Sequence, residues 1–137
     1  MTTTVQPLFT NTITIDTTPE IVQAQLARVE QLPQWNPDIS EITPNDDQSW
    51  TLIRTKEALN HQETFTLAKT ADSVTYTSTG GRLAYQLVFT LEPTGTGTTV
   101  HEALYPKTDL LGLTLVAPIA KVAFYHNLEL MRDLLLN

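Results

Sequence analysis

The sequence predicts an α+β domain, an antiparallel β-meander that follows an early helix and is closed by a long C-terminal helix. Three observations carry this. Phe9, Asn11, Ile13 and Ile15 alternate with Thr10, Thr12, Thr14 and Asp16, the period of two expected of a strand with one buried face. Six short runs rich in Thr, Val and aromatic residues then follow one another, separated only by turn formers. From about Leu113 to Leu135 the apolar residues change to a helical period.

The elements follow in order. Residues 1–7 read as a flexible extension and residues 8–137 as one domain. After the first strand, Phe9–Asp16, the run Thr17-Thr18-Pro19-Glu20 reads as a helix start. Thr17 and Glu20 have capping-box spacing, or Thr18 caps with Pro19 at the first helical position. Ile21, Val22, Leu26 and Val29 supply an apolar stripe reaching about Glu30. Pro33 and Pro37 break it, since each disfavours helix at its predecessor, and only a short helical turn fits around Trp35. The strands are Ile39–Thr43, Trp50–Lys56, Glu63–Thr70, Val74–Ser78, Leu83–Glu92 and Thr99–Lys107. Their connections are too short for a parallel crossover, so neighbours pair antiparallel.

In the last helix, 100° steps gather Val116, Ile119, Ala123, Leu130 and Leu134 on one side, with Lys121, Tyr125, Glu129, Arg132 and Asp133 opposite. Pro118 either kinks the helix or marks its first turn, and the expected start lies near Val116 after an irregular Leu110–Leu115 lead-in.

Composition excludes several functions. A formal charge of −7 over 137 residues opposes a nucleic-acid binder, which needs a cationic face. With no cysteine there is no disulfide scaffold, thiolate metal site or cysteine nucleophile. His61, His101 and His126 have none of the close spacings of a helical zinc motif. Gly95-Thr96-Gly97 lies between strands without a following Lys-Ser/Thr, so it is a hairpin turn and no phosphate loop. No Gly-x-Ser-x-Gly elbow is present. The start of the chain carries no basic or apolar targeting region, and Leu110–Ala120 is about half the ~20 residues of a membrane span. A cytoplasmic protein without integral membrane association is expected.

The element order, together with three motifs, resembles the START and birch-pollen-allergen (SRPBCC) superfamily, especially its small stand-alone polyketide cyclase/dehydrase-like members. The motifs are Ile15-Asp16-Thr17-Thr18-Pro19-Glu20-Ile21-Val22, Leu32-Pro33-Gln34-Trp35-Asn36-Pro37, and Phe89-Thr90-Leu91-Glu92-Pro93 with Gly95-Thr96-Gly97-Thr98-Thr99-Val100. The likeness runs from about Phe9 to the end. It implies a helix-grip fold: a curved seven-stranded sheet around the last helix, with an apolar cavity between them. It implies no cofactor and carries over no catalytic residue, since no short catalytic signature spans the superfamily, whose members include carriers, receptors and cyclases.

Several residues are candidates for the site. Val116, Ile119, Ala123, Asn127 and Leu130 would line the pocket from the helix, with Tyr85 and Glu102 on the sheet. Thr and Ala on several strand faces leave room, whereas Trp35, Trp50, Phe65, Tyr76, Tyr85, Phe89 and Phe124 could instead fill it. Asn127 either orients a ligand or bonds to nearby backbone, and His126 is a boundary residue. If Val100 and Leu104 face inward, so does Glu102, a desolvated acid able to move protons; the opposite register turns His101 inward. Arg54 either binds a carboxylate from within or shares an exposed face with Lys56, and the second is expected.

The expectation is a binder of a small hydrophobic molecule such as a lipid, a sterol-like compound or an aromatic polyketide. Two alternatives remain: a cyclase/dehydrase-like enzyme using a cavity acid or base, and a ligand-free dimerising or regulatory module whose apolar flank of Phe124, Leu128 and Leu135 pairs with another chain or a membrane surface.

Overall fold

The computed structural model describes residues 6–55 and 60–137. The start of the expected N-terminal extension (residues 1–5) and the expected strand end at Lys56 lie outside the described residues. Strand β1 (Phe9–Ile15) alternates buried and exposed at every residue, so Asn11 joins Phe9, Ile13 and Ile15 on the inner face. Helix α1 (Pro19–Ala27) starts as its sequence dictates. Pro19 opens the first turn, where its missing N–H loses nothing, and the Thr18 hydroxyl accepts the Ile21 N–H at 3.4 Å. The helix stops at Ala27, short of the expected Glu30, and a 3₁₀ segment, Val29–Gln34, follows. It buries Val22, Gln25 and Leu26 but leaves Ile21 exposed, which removes Ile21 from the expected stripe.

The strands β2 (Ile39–Pro44), β3 (Trp50–Arg54), β4 (Gln62–Lys69), β5 (Ser73–Thr79), β6 (Tyr85–Thr94) and β7 (Gly97–Pro106) form the meander. All neighbours are antiparallel, and β1 returns to pair with β7, giving one seven-stranded sheet in the order β1-β7-β6-β5-β4-β3-β2. The sheet curves around helix α2 (Leu113–Leu136) in the helix-grip arrangement. Trp35, Leu52, Phe65, Tyr76, Phe89, Leu128 and Met131 lie at the centre of the core. Trp35 and Tyr76 both meet Phe89 edge-on, with centroids 6.4 and 5.3 Å away.

Helix α2 departs from expectation twice. It begins at Leu113, three residues before Val116, because Gly112 takes a left-handed φ of 79° and turns the chain into the helix. Pro118 therefore sits inside the helix. The buried face is also displaced by roughly a quarter turn from the expected stripe. Leu113, Leu128 and Met131 are buried, and Phe124 packs on Phe9 with ring centroids 5.1 Å apart. Ala123 is exposed and Ile119 is 72% exposed. The flank of Phe124, Leu128 and Leu135, on which the dimerising alternative depends, packs into this protein's own core, with Leu128 0% exposed. The helix is apolar on more than one side, so periodicity alone did not select the packed side.

Candidate functional site

The first turns of α2 stand away from the sheet, and the space between holds a cavity of about 440 Å³. This is within the usual size for small-molecule sites. Its helix wall is Val116, Ile119, Ala120, Ala123 and Phe124, and its sheet wall includes Leu104 and Tyr85, with Leu83 just before β6. Most of this lining is apolar. One end is not.

At that end Arg54 points inward. Alternation on β3 puts it on the same face as buried Leu52, and Leu52 lies across from Glu63 of β4. Arg54 Nη1 donates to Asp38 Oδ2 at 2.7 Å, and Nη2 donates to Glu63 Oε1 at 2.6 Å. Tyr85 Oη donates to the same Glu63 oxygen at 2.8 Å, and Arg54 Nη2 approaches Tyr85 Oη at 3.4 Å. Asn60 Nδ2 donates to Glu63 Oε2 at 2.6 Å, so both carboxylate oxygens of a side chain 1% exposed are occupied. Burial opposes the charge on Arg54, but Tyr85, Glu63 and Asp38 outweigh it and hold the guanidinium protonated above its ordinary value. Burial likewise pushes the Tyr85 hydroxyl up, with Glu63 adding to it, so Tyr85 stays a neutral donor. The expected exposure of Arg54 beside Lys56 is thereby corrected: paired carboxylates make an inward arginine stable.

Asn60 is part of this scaffold. Its amide also bonds the Leu83 backbone in both directions, at 2.9 and 2.8 Å. Gly81 permits this, since a Cβ there would lie 2.4 Å from the Asn60 side chain.

Glu102 lies elsewhere on the inner face. Val100, Glu102 and Leu104 are buried while His101 is exposed, which fixes the register that the sequence left open. Asn11, across from it on β1, donates to Glu102 Oε1 at 3.1 Å and to the Lys121 carbonyl at 3.0 Å. Burial pushes the Glu102 carboxyl up to about 8, only partly offset by the Asn11 hydrogen bond and the Lys121 charge, so it is mainly protonated at neutral pH.

Of the expected site residues, Tyr85, Val116, Ile119 and Ala123 line the large cavity. Glu102 lines a separate, far smaller void. Asn127 donates through Nδ2 to the Asn36 side chain, Oδ1 at 2.9 Å, which is neither of the two partners considered from sequence, and Leu130 packs on the core. His126 is largely exposed. Sequence reading missed Asp38, Asn60 and Glu63 as a group. Glu63 alone carried a signal, because it shares a period-two set with Phe65 and Leu67.

The family model described as polyketide cyclase / dehydrase and lipid transport matches residues 6–129. No curated protein matches the chain by sequence. Among solved structures, a START superfamily protein from Mycobacterium smegmatis is similar at a TM-score of 0.69 and 16% identity, covering 93% of this chain and 95% of that one. A STAR-related lipid transfer protein from Xanthomonas axonopodis gives 0.67 and 16%, over 93% and 85%. The di-domain ARO/CYC StfQ of the steffimycin biosynthetic pathway gives 0.74 and 11%, over 91% of this chain and 49% of that chain. At these identities the likeness is one of fold. Among the described residues no helix is long and apolar enough to cross a membrane.

Proposed function

This chain belongs to the polyketide cyclase / dehydrase and lipid transport family, and from that premise we propose that it binds a small, mainly apolar molecule between its sheet and its last helix. The observation that supports this most is the cavity of about 440 Å³ with an apolar lining and one polar end. Burying the apolar body of a ligand there supplies the affinity, at about 25 cal/mol per Å² removed from water. The polar end supplies orientation. The described contacts use three of the five Arg54 N–H groups, so a hydroxyl or carbonyl can meet the guanidinium without displacing Glu63.

The test is native mass spectrometry of freshly purified protein. A non-covalent adduct that vanishes on denaturation is expected, and Ala123→Trp should lose it while keeping the fold, because Ala123 lines the cavity but is exposed and lies outside the buried core. An adduct retained by that variant places the ligand elsewhere.

A second reading, a cyclase- or dehydrase-like catalyst, draws on the protonated interior carboxyl of Glu102. It requires the ionised fraction of that carboxyl to take a proton from the carbon beside a substrate carbonyl and, as the acid it then becomes, to return one. Deuterium exchange beside the carbonyl of a bound aryl methyl ketone should then be faster with the protein than with Glu102→Gln; equal rates remove this reading.

A further inference from the structure

Behind the large cavity lies a second void of about 10 Å³, lined among others by Trp35, Asn36, Tyr76 and Glu102. Arg54, Tyr85 and Phe124 line both voids and so form the wall between them. The small void has room for one water-sized atom. Two of its residues carry buried donors, Trp35 Nε1–H and Asn36 Nδ2–H, that have no partner among the described residues. Trp35 is 2% exposed. Asn36 is oriented by Asn127, whose Nδ2 takes the Asn36 Oδ1 and leaves the amide N–H₂ as the free end. Buried donors are almost always paired, and two orphans on one void call for the same missing atom.

We propose that this void is an acceptor-oxygen site, in which one oxygen takes hydrogen bonds from Trp35 Nε1–H and Asn36 Nδ2–H. Water supplies that oxygen in the free protein, and a neutral carbonyl on the apolar ligand supplies it in the complex. The proposal rests on the reading of the large cavity as a ligand site and deepens it to a class of ligand. Both free groups are donors only, which selects an acceptor. A carboxylate is disfavoured, because the charge of Arg54 is already balanced by Asp38 and Glu63 and no other described cation lines the void. Glu102, protonated, offers a further donor at the same place.

Entry requires the wall to open, and its three members differ. Arg54 and Tyr85 are both tied to Glu63, whereas Phe124 is held only by packing, chiefly against Phe9. Rotation of the Phe124 ring is therefore the step that joins the two voids.

The experiment compares acetylnaphthalene with ethylnaphthalene of the same substitution, probes that differ by one carbonyl oxygen. The ketone should bind about tenfold tighter, the scale of one well-made hydrogen bond. The Trp35 indole N–H resonance, distinguished from that of Trp50 by Trp50→Phe, should show cross-relaxation with water in the free protein. It should shift with the ketone and not with the hydrocarbon. Trp35→Phe should bring the two affinities together. If both compounds bind equally and the indole resonance does not move, the acceptor site is wrong and the cavity reading stands. If neither binds to the wild-type protein, both readings fall. Absence of the water signal overturns the water-filled resting state even if the ketone binds.

Discussion

At the scale of single residues, this protein keeps two acidic side chains inside by opposite means. Glu63 is compensated: Arg54, Tyr85 and Asn60 between them occupy both oxygens. Removing one partner of such a buried pair typically costs about 3–5 kcal/mol, so the cluster acts as a rigid floor for the cavity. Among the described residues Glu102 has one amide donor and no paired cation, and it answers burial by holding its proton. Its folded value, about 8, lies above the ordinary 4.5, so the folded state binds the extra proton between those values. Stability conferred by this group is therefore fully present below about pH 4.5 and is lost as pH rises towards 8. Glu102→Gln should abolish that loss, making the variant more stable than wild type by roughly 1–3 kcal/mol at alkaline pH. Thermal melts of both proteins near pH 5 and pH 9 check this. Parallel pH profiles would mean that Glu102 is solvated.

At the scale of elements, α2 serves two purposes on two faces. The face of Leu113, Leu128 and Met131 holds the helix to the sheet, while Val116, Ile119 and Ala123 form the wall of the cavity. Leu128→Ala should destabilise the protein by about 2–5 kcal/mol through loss of buried surface and a residual void. Ile119→Ala should change stability by no more than about 0.5 kcal/mol yet weaken ligand binding. Denaturant titrations of the two variants measure the contrast, and equal losses would place the wrong face against the core. The strands were legible because one apolar and one polar face leave an alternation that can be read directly, as in β1 and β6. The helix was harder, because Leu115, Ile119 and Val122 are apolar without being buried, and a second apolar side blurs the period.

At the scale of the whole molecule, the cavity exists because α1 and the 3₁₀ segment fill one end of the concave sheet and leave the other open. Trp35, Phe89 and Tyr76 pack the filled end, and the Tyr76 hydroxyl is anchored on the Leu26 carbonyl at 2.6 Å. Filling the open end with ligand couples binding to global stability by mass action. A ligand at about 100 times its Kd should add about 2.7 kcal/mol and raise Tm by several degrees. Ala123→Trp should show no such rise in the same scan, and a rise in both proteins would point to binding elsewhere. The sequence by itself determined the succession of elements, the alternating faces of β1 and β6 and the helix start within Thr17–Glu20, because these depend on residues a few positions apart. Only the tertiary structure decided which side of α2 is buried, that Arg54 turns inward to Glu63 and Asp38, and that Glu102 faces the core. Those outcomes depend on charge pairing and packing between strands and helix, and such partners, distant along the chain, leave no local period to read.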